Sequence, residues 1–325
     1  MPKRKVLICG STGFIGRNIA ENLAQRSDLE VYGVHFKRAG LEMSGIRPVY
    51  ADLTDYAAVD KAISGMDVVI QAAASTSGAR DIVERPYIHV TDNAVMNSLL
   101  LRASYDHNVE TFIFFSCSVM YPSSEKPLKE NEFDRNVEIN PNYFGVGWTK
   151  VYIEHMCEFY SRLGRTRHTV LRNSNIYGPY DKFDLQRSHV FGATVNKVME
   201  AKNDKVTVWG EGKAERDLLF VGDLVNLVEA SLRKQTTSFE ILNAGYGSAI
   251  SIRDLVGKII RASGKNLEID YDLSQPSIET RLCLDISKAK RLLGWNPKVT
   301  LEKGIEETLF WYKESMLKKE MSKTF

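Results

Sequence analysis

Cysteine is scarce and widely spaced. The 325-residue chain has four, Cys9, Cys117, Cys157 and Cys283, with no CxxC pair among them. That spacing draws neither a zinc-ligand pattern nor a disulfide framework, so no metal site is expected and a cytoplasmic, reducing location is. An excess of one charge is also missing, because 43 Lys and Arg stand against 41 Asp and Glu. A pI near 8.2 is too mild for a track along a polyanion, which argues against a nucleic-acid partner. No apolar run approaches the roughly 18 residues of a membrane span, so no membrane partner is expected. The start, Met1 to Lys5, is basic like the head of a signal peptide. The apolar run behind it, Val6 to Cys9, ends at Gly10 and is too short for an h-region.

What is present is length and pattern. At ~150 residues per domain the chain holds about two domains, or one large one, enough to bury a core without staples. Short apolar runs alternate with helical patterns through the first half. Lys5–Cys9, Leu29–Val34, Val49–Tyr50, Asp67–Gln71, Thr111–Ser116 and His168–Arg172 read as strands. Arg17–Gln25, Ala57–Ser64, Asp92–Asp106 and Phe144–Leu163 read as helices between them. Continuous apolar strands alternating with amphipathic helices predict an α/β fold, a doubly wound parallel sheet of Rossmann type. From Asn175 the pattern turns irregular and loop-rich. Helices are predicted at Phe191–Ala201, Leu224–Leu232, Ile252–Ser263 and Leu301–Leu317, the last lightly broken by Gly304, with a strand at Glu240–Asn243. The expected division is a dinucleotide-binding domain, 1–174, with returning segments near 219–245, and a smaller α/β substrate-binding domain, 175–325.

Gly10-Ser-Thr-Gly13-Phe-Ile-Gly16 joins the first strand to the first helix. Glycines at this spacing allow a tight turn whose N–H groups, with the helix N-terminus, face a pyrophosphate. Thr12, Phe14 and Ile15 belong to the same turn. After the second strand the chain reads Val34-His-Phe-Lys37-Arg38, with no acid for a ribose 2′-hydroxyl and two cations where a 2′-phosphate would lie. That favours NADP, with NAD still possible. Asp52 and Leu53 follow the third strand, where an adenine amino group would be met. Ala72, Ala73 and Ala74 follow the fourth, where small residues let the backbone pass close to a cofactor.

With these residues in place, the chain resembles the extended short-chain dehydrogenase/reductases that act on nucleotide sugars, and within them the GDP-L-fucose synthases. The resemblance runs through Ser116–Pro122, Glu130–Glu132, Asn175-Ile-Tyr-Gly-Pro-Tyr-Asp181, Ser188–Val190, Val208–Gly210, Glu215–Asp217, Val221–Asp223 and Leu293–Trp295, nearly the whole chain. It implies a homodimer formed through two long helices, and hydride transfer between NADP and a sugar carbon, C4, of a nucleotide-linked keto-deoxy sugar, with a GDP-sugar favoured. Among cofactor contacts it adds Asn93 and Lys150.

The same resemblance implies a Tyr four residues before the catalytic Lys. Lys150 matches the Lys, but the Tyr position holds Val146. Two readings stand. Either Gly145 and Gly147 distort the turn and bring Tyr143 into the site, or Tyr143 is a core or rim aromatic and another group or water moves the proton. The hydroxyl position falls on Cys117, with Ser118 able to take over. Of the epimerising Cys–His pair the His is kept at His189, and the Cys position holds Val119. Asn175, Arg187, His189, Lys197, Trp209, Arg216 and Arg281 are implied to meet the sugar nucleotide. An NAD-retaining epimerase or dehydratase, and a cofactor-binding relative with impaired chemistry, remain alternatives.

Overall fold

The computed structural model of the protein describes residues 2–75, 85–136, 138–185, 188–274 and 280–321. Its first part runs β1 (Arg4–Cys9), α1 (Phe14–Leu23), β2 (Leu29–His35), β3 (Ile46–Tyr50), α2 (Tyr56–Ile63), β4 (Val68–Gln71), α3 (Thr91–Asp106), β5 (Thr111–Cys117), α4 (Phe144–Arg162) and β6 (Arg167–Asn173). There follow β7 (Asn175–Tyr177), α5 (Val190–Met199), β8 (Lys205–Trp209), β9 (Glu215–Phe220), α6 (Val221–Lys234) and β10 (Phe239–Ala244). The chain ends with β11 (Ala249–Ser251), α7 (Ile252–Ser263), β12 (Glu268–Asp272), β13 (Arg281–Leu282), α8 (Ser287–Leu293) and α9 (Leu301–Met321).

Seven strands make one parallel sheet in the order β10-β6-β5-β4-β1-β2-β3. Strand period two sends Val6 and Ile8 of β1 to one face and Leu7 and Cys9 to the other. The first face is covered by α1 and α6, through Ile19, Leu23, Leu224 and Val228. The second is covered by α2, α3 and α4, through Val59, Leu100, Leu101, Ile153 and Cys157. This is the doubly wound arrangement expected, and it brings the carboxyl ends of β1, β4, β5 and β6 to one edge of the sheet. β3 starts three residues earlier than its sequence suggested. It lies at the sheet edge, pairing with β2 alone, so Pro48 opposite Gly33 removes no ladder bond on its free side.

Beyond Asn175 the expected loops are in part short strands, which corrects the sequence reading. β9 pairs with β7, β11 and β13, and β8 pairs with β12 about sixty residues later. Such strands of two to six residues gain their identity from distant partners, not from a local run. Tyr177, Phe191, Val195, Leu218, Leu255, Ile259, Ile305 and Leu309 fill the core beneath them. Gly304 does not break α9. A Cβ there would lie 2.1 Å from the buried Tyr177 Oη, so the glycine is needed for close packing.

Candidate active site

The turn after β1 is closed by the Gly13 N–H on the Gly10 carbonyl, 2.9 Å. Gly10 has φ +75°, and a Cβ on it would stand 2.7 Å from Ala73 Cα. A Cβ on Gly16 would stand 2.2 Å from the Gly10 carbonyl oxygen. The two glycines therefore let the turn press against both the chain after β4 and the first turn of α1. Ser11 fixes the turn to β2 by donating its N–H and its Oγ to the Val34 carbonyl. Gly13 caps α1 without a side-chain cap, and no acid stands in the first turn. Thr12, Phe14 and Ile15 are half-buried along this cradle. Its open N–H groups and lack of a Cβ fit a dinucleotide pyrophosphate.

Arg38 Nη1 donates to the Thr12 carbonyl at 3.3 Å, which lays the guanidinium against the glycine turn. The Arg38 carbonyl accepts from His35 Nδ1 at 3.1 Å, so the last residue of β2 shapes this loop. Lys37 Nζ lies 5.9 Å from the Phe36 ring centre. Asp52 Oδ1 accepts from the N–H and Oγ1 of Thr54, closing a turn beside buried Leu53. After β4, Gln71 bonds both backbone groups of Ala73, and Ala74 is exposed. Asn93 spends its amide on the backbone of Ser75 and His89. It shapes the loop that carries the alanines.

Lys150 lies in the second turn of α4 and donates to the Phe115 carbonyl at 2.7 Å, with the Phe114 ring centre 4.6 Å from its Nζ. Burial lowers its pKa, while Cys117 and Glu154 act in the other direction. Cys117 ends β5 and is half-buried. Burial raises its pKa, and Lys150 lowers it. Ser118 is buried at 5 % exposure, which leaves Cys117 the more accessible of the two.

The distorted turn considered for Tyr143 is absent. Residues Pro141–Tyr143 form one 3₁₀ turn and α4 is regular from Phe144. Gly145 and Gly147 serve packing instead, since a Cβ on them would stand 2.9 Å from Val90 and 3.0 Å from Ile139. Tyr143 thus stays a further helical turn from Lys150, and its phenol acts electrostatically on Arg216.

His189 stands at the N-cap of α5. The residue is exposed overall, while desolvation of its ring and the charges of Lys182 and His89 lower its pKa. His89, just before α3, was not singled out from sequence; only the fold brings it near His189. Asn175 Nδ2 donates to the Asp217 carbonyl. Lys197 donates to the Thr207 carbonyl and lies 5.6 Å from the ring of Trp209, which is exposed. Arg216 donates to the carbonyls of Glu215 and Thr280, and burial lowers its pKa. Arg281 pairs with Glu215 at 2.8 Å. Ser123, Ser124, Lys213, Glu215, Thr280 and Arg281 are among the walls of a cleft of about 310 Å³. Arg187 lies outside the described residues.

Some motifs turn out to brace the fold. Asp217 accepts from the N–H groups of Tyr246, Gly247 and Leu284, and the Asp223 carbonyl accepts from Trp295 Nε1. Sequence reading also missed a buried group behind Lys150, in which Glu154 pairs with Arg172 at 2.7 Å. A Glu one turn after Lys150, and an Arg inside an apolar strand, were the available signals.

The model of the NAD dependent epimerase/dehydratase family matches residues 6–245. The GDP-L-fucose synthase of Azorhizobium caulinodans is 30% identical over 315 residues, 95% of this chain and 96% of that protein. A dTDP-4-dehydro-6-deoxy-D-allose reductase of Streptomyces is 28% identical over 322 residues, 95% of this chain and 96% of that one. The solved UDP-glucose 4-epimerase of Thermotoga maritima, with UDP-glucose, has the same fold, with a TM-score of 0.85 at 23% identity over 96% of this chain and 99% of that one.

Proposed function

The chain belongs to the NAD dependent epimerase/dehydratase family, and we propose that it is an oxidoreductase/epimerase that moves a hydride between NADP and C4 of a nucleotide-linked keto-deoxy sugar. The observation that carries this reading is the meeting, at one sheet edge, of the Gly10–Gly16 cradle pressed on Ala73 and of Lys150 bonded to the Phe115 carbonyl of the strand that Cys117 ends. Residues 1–174, with 219–245, are assigned to the cofactor, and 175–325 to the nucleotide sugar. A GDP-linked sugar is favoured, in keeping with the GDP-L-fucose synthase likeness.

The dinucleotide, when bound, supplies or accepts the hydride. The chain holds its pyrophosphate on the open N–H groups of the cradle, and Arg38 offers a charge to a 2′-phosphate. Lys150, steadied by the Phe115 carbonyl, brings a cation to the ribose hydroxyls and to the sugar oxygen. Cys117 is the protic group coupled to it. Burial keeps that thiol protonated near neutral pH, so it can hand a proton or a hydrogen bond to the sugar oxygen. Arg216 and Arg281 offer cations to the sugar nucleotide, Tyr143 a phenol, and His189 an imidazole whose pKa lies below its ordinary value. Arg187 belongs to this substrate set by resemblance alone.

The reading includes a cytoplasmic homodimer. Four free cysteines and the apolar side chains exposed on α4 support those two parts. Among the described residues no helix is long and apolar enough to cross a membrane. The test is to mix the protein with NADPH and 4-keto GDP-, CDP-, UDP- and dTDP-sugars, following absorbance at 340 nm and product by mass spectrometry. Turnover of at least one sugar, lost on Lys150→Ala and retained within about tenfold on Tyr143→Phe, is expected; an acid/base group would cost 10²-fold or more. No turnover across the panel rejects the reading. Val146, in the place of the phenol, favours a second reading, a cofactor-binding relative without chemistry. It predicts NADPH binding with no turnover in any variant, including Val146→Tyr.

A further inference from the structure

Behind Lys150 lies a buried chain of polar groups that the reaction itself does not call for. Glu154, one helical turn further along α4, is 3 % exposed. Its Oε1 accepts from Ser116 Oγ at 2.5 Å and from Arg172 Nε at 3.1 Å, and its Oε2 accepts from Arg172 Nη2 at 2.7 Å. Arg172 Nη1 donates on to Tyr121 Oη at 2.8 Å and to the Glu130 carbonyl at 2.9 Å. Tyr121 donates to Asn243 Oδ1, and Asn243 N–H donates to Glu130 Oε1. The chain therefore ties α4 to the carboxyl ends of β5, β6 and β10. Of these, α4 carries Lys150 and β5 ends on Cys117.

A buried ion pair is a poor stabiliser compared with apolar packing of the same volume, because both charges lose their water. Stability alone does not explain the pair, whereas its position does. Lys150 and Glu154 stand four residues apart on one side of α4, and adjacent residues of β5 hold them, the Phe115 carbonyl accepting from Lys150 and Ser116 donating to Glu154. Among the described residues Glu154 is the one carboxylate that acts on Lys150 against burial. The other titratable group acting on Lys150 is Cys117 of β5, and Arg172 of β6 acts on Cys117 from behind Glu154. His89, just before α3, acts on His189.

We infer that the Glu154–Arg172 pair is a positioning device that fixes the place and the protonated state of the Lys150 ammonium. Bidentate pairing holds the carboxylate at one point, where a lone Glu would swing. Ser116 locks it to the strand that carries Cys117. Arg172, through Nε and Nη2, fixes the carboxylate from the side of β6. The role of Lys150 toward cofactor and sugar rests on the proposed function; the coupling between Glu154 and Lys150 does not.

The test is competitive acetylation of the intact protein across alkaline pH, reading the Lys150 peptide by mass spectrometry, beside NADPH titration and turnover. Glu154→Gln keeps the shape and removes the charge, and it leaves Arg172 a bare cation. The labelling midpoint of Lys150 is expected to fall by about one pH unit, as for loss of an opposite charge one helical turn away. The alkaline limb of activity is expected to move down with it. Glu154→Asp, which keeps the charge, is expected to restore most of the midpoint. If Glu154→Gln does not fold, the charge-neutral Glu154→Gln/Arg172→Gln pair decides, with a smaller fall in the same direction. An unchanged Lys150 midpoint in the folded variant overturns the inference, even where the wild type turns over a sugar. A shifted midpoint in a protein that turns over nothing upholds it while rejecting the proposed function.

Discussion

Arg38 carries the proposed cofactor preference, and its contact is small enough to test alone. The guanidinium touches the chain through the Thr12 carbonyl, at the mouth of the glycine cradle. A charge-assisted bond to a 2′-phosphate contributes about 1.5–3 kcal/mol. Arg38→Ala should therefore weaken NADPH binding by roughly ten- to hundredfold and leave NADH within about threefold, measured by fluorescence titration. Equal loss for both would leave Arg38 only a brace on the turn. Asp181 is a second residue with a measurable consequence. Its Oδ1 accepts the Lys182 N–H, its Oδ2 is buried without a partner among the described residues, and burial pushes the carboxyl up to about 7. The folded protein thus keeps a proton that the unfolded chain gives up near 3.8. Stability from this residue is present below that value and is lost as pH rises through about 7. Asp181→Asn should gain on the wild type by about 2 kcal/mol more at pH 8 than at pH 5 in urea unfolding. A pH-independent difference would mean that the carboxyl titrates normally. Neither the Arg38 contact nor the burial of Asp181 was legible in the sequence, since each depends on a partner or a wall far along the chain. The two cations after β2 were.

At the scale of elements, the glycines divide by function. Gly10 and Gly16 were legible because their spacing between a strand and a helix has one common use. Gly145, Gly147 and Gly304 were not. They suggested weak or distorted helix, yet each lies in a regular helix at a crossing with a neighbour. A sequence shows that a helix lacks a side chain, not what presses on the gap. Gly304→Ala separates the two effects. Helix propensity favours Ala by about 1 kcal/mol. The new methyl, however, would stand 2.1 Å from Tyr177 Oη inside the core, and overpacking costs about 1–3 kcal/mol. Net destabilisation of up to about 2 kcal/mol is expected by denaturant melting; a more stable variant would show that Tyr177 moves aside freely. The short strands β8 and β12 carry the same lesson. Val206 and Val208 alternate with exposed neighbours as a half-buried strand should, but five residues do not declare a strand until a partner sixty residues away supplies the ladder.

For the whole molecule, α3 and α4 pack side by side on one face of the large sheet and present Phe144, Tyr152 and Phe159 to the outside, exposed by 58, 46 and 54%. Apolar side chains gathered on one helix suggest a covered surface in the assembled protein. The homodimer proposed above should therefore dissociate in Tyr152→Glu/Phe159→Glu, halving the mass by light scattering with the circular dichroism unchanged; a wild-type monomer at micromolar concentration would reject it. The sheet itself was written locally. Runs of apolar residues, the helical spacing between them and the glycine turn fix strand direction and cofactor edge, because right-handed crossovers leave few alternatives. The active-site edge was written only in part. Lys150, Cys117 and Val146 in the place of a phenol are legible only through the resemblance to the family. Which groups answer the missing phenol is not legible, because Cys117, Glu154 and Arg172 come together around Lys150 from a strand end, a helix and a second strand. Burial then gives each charge a weight that no local pattern carries. Tyr143, seven residues from Lys150, is left a further turn from the lysine by a regular helix, and the group its phenol acts on is Arg216, more than seventy residues away.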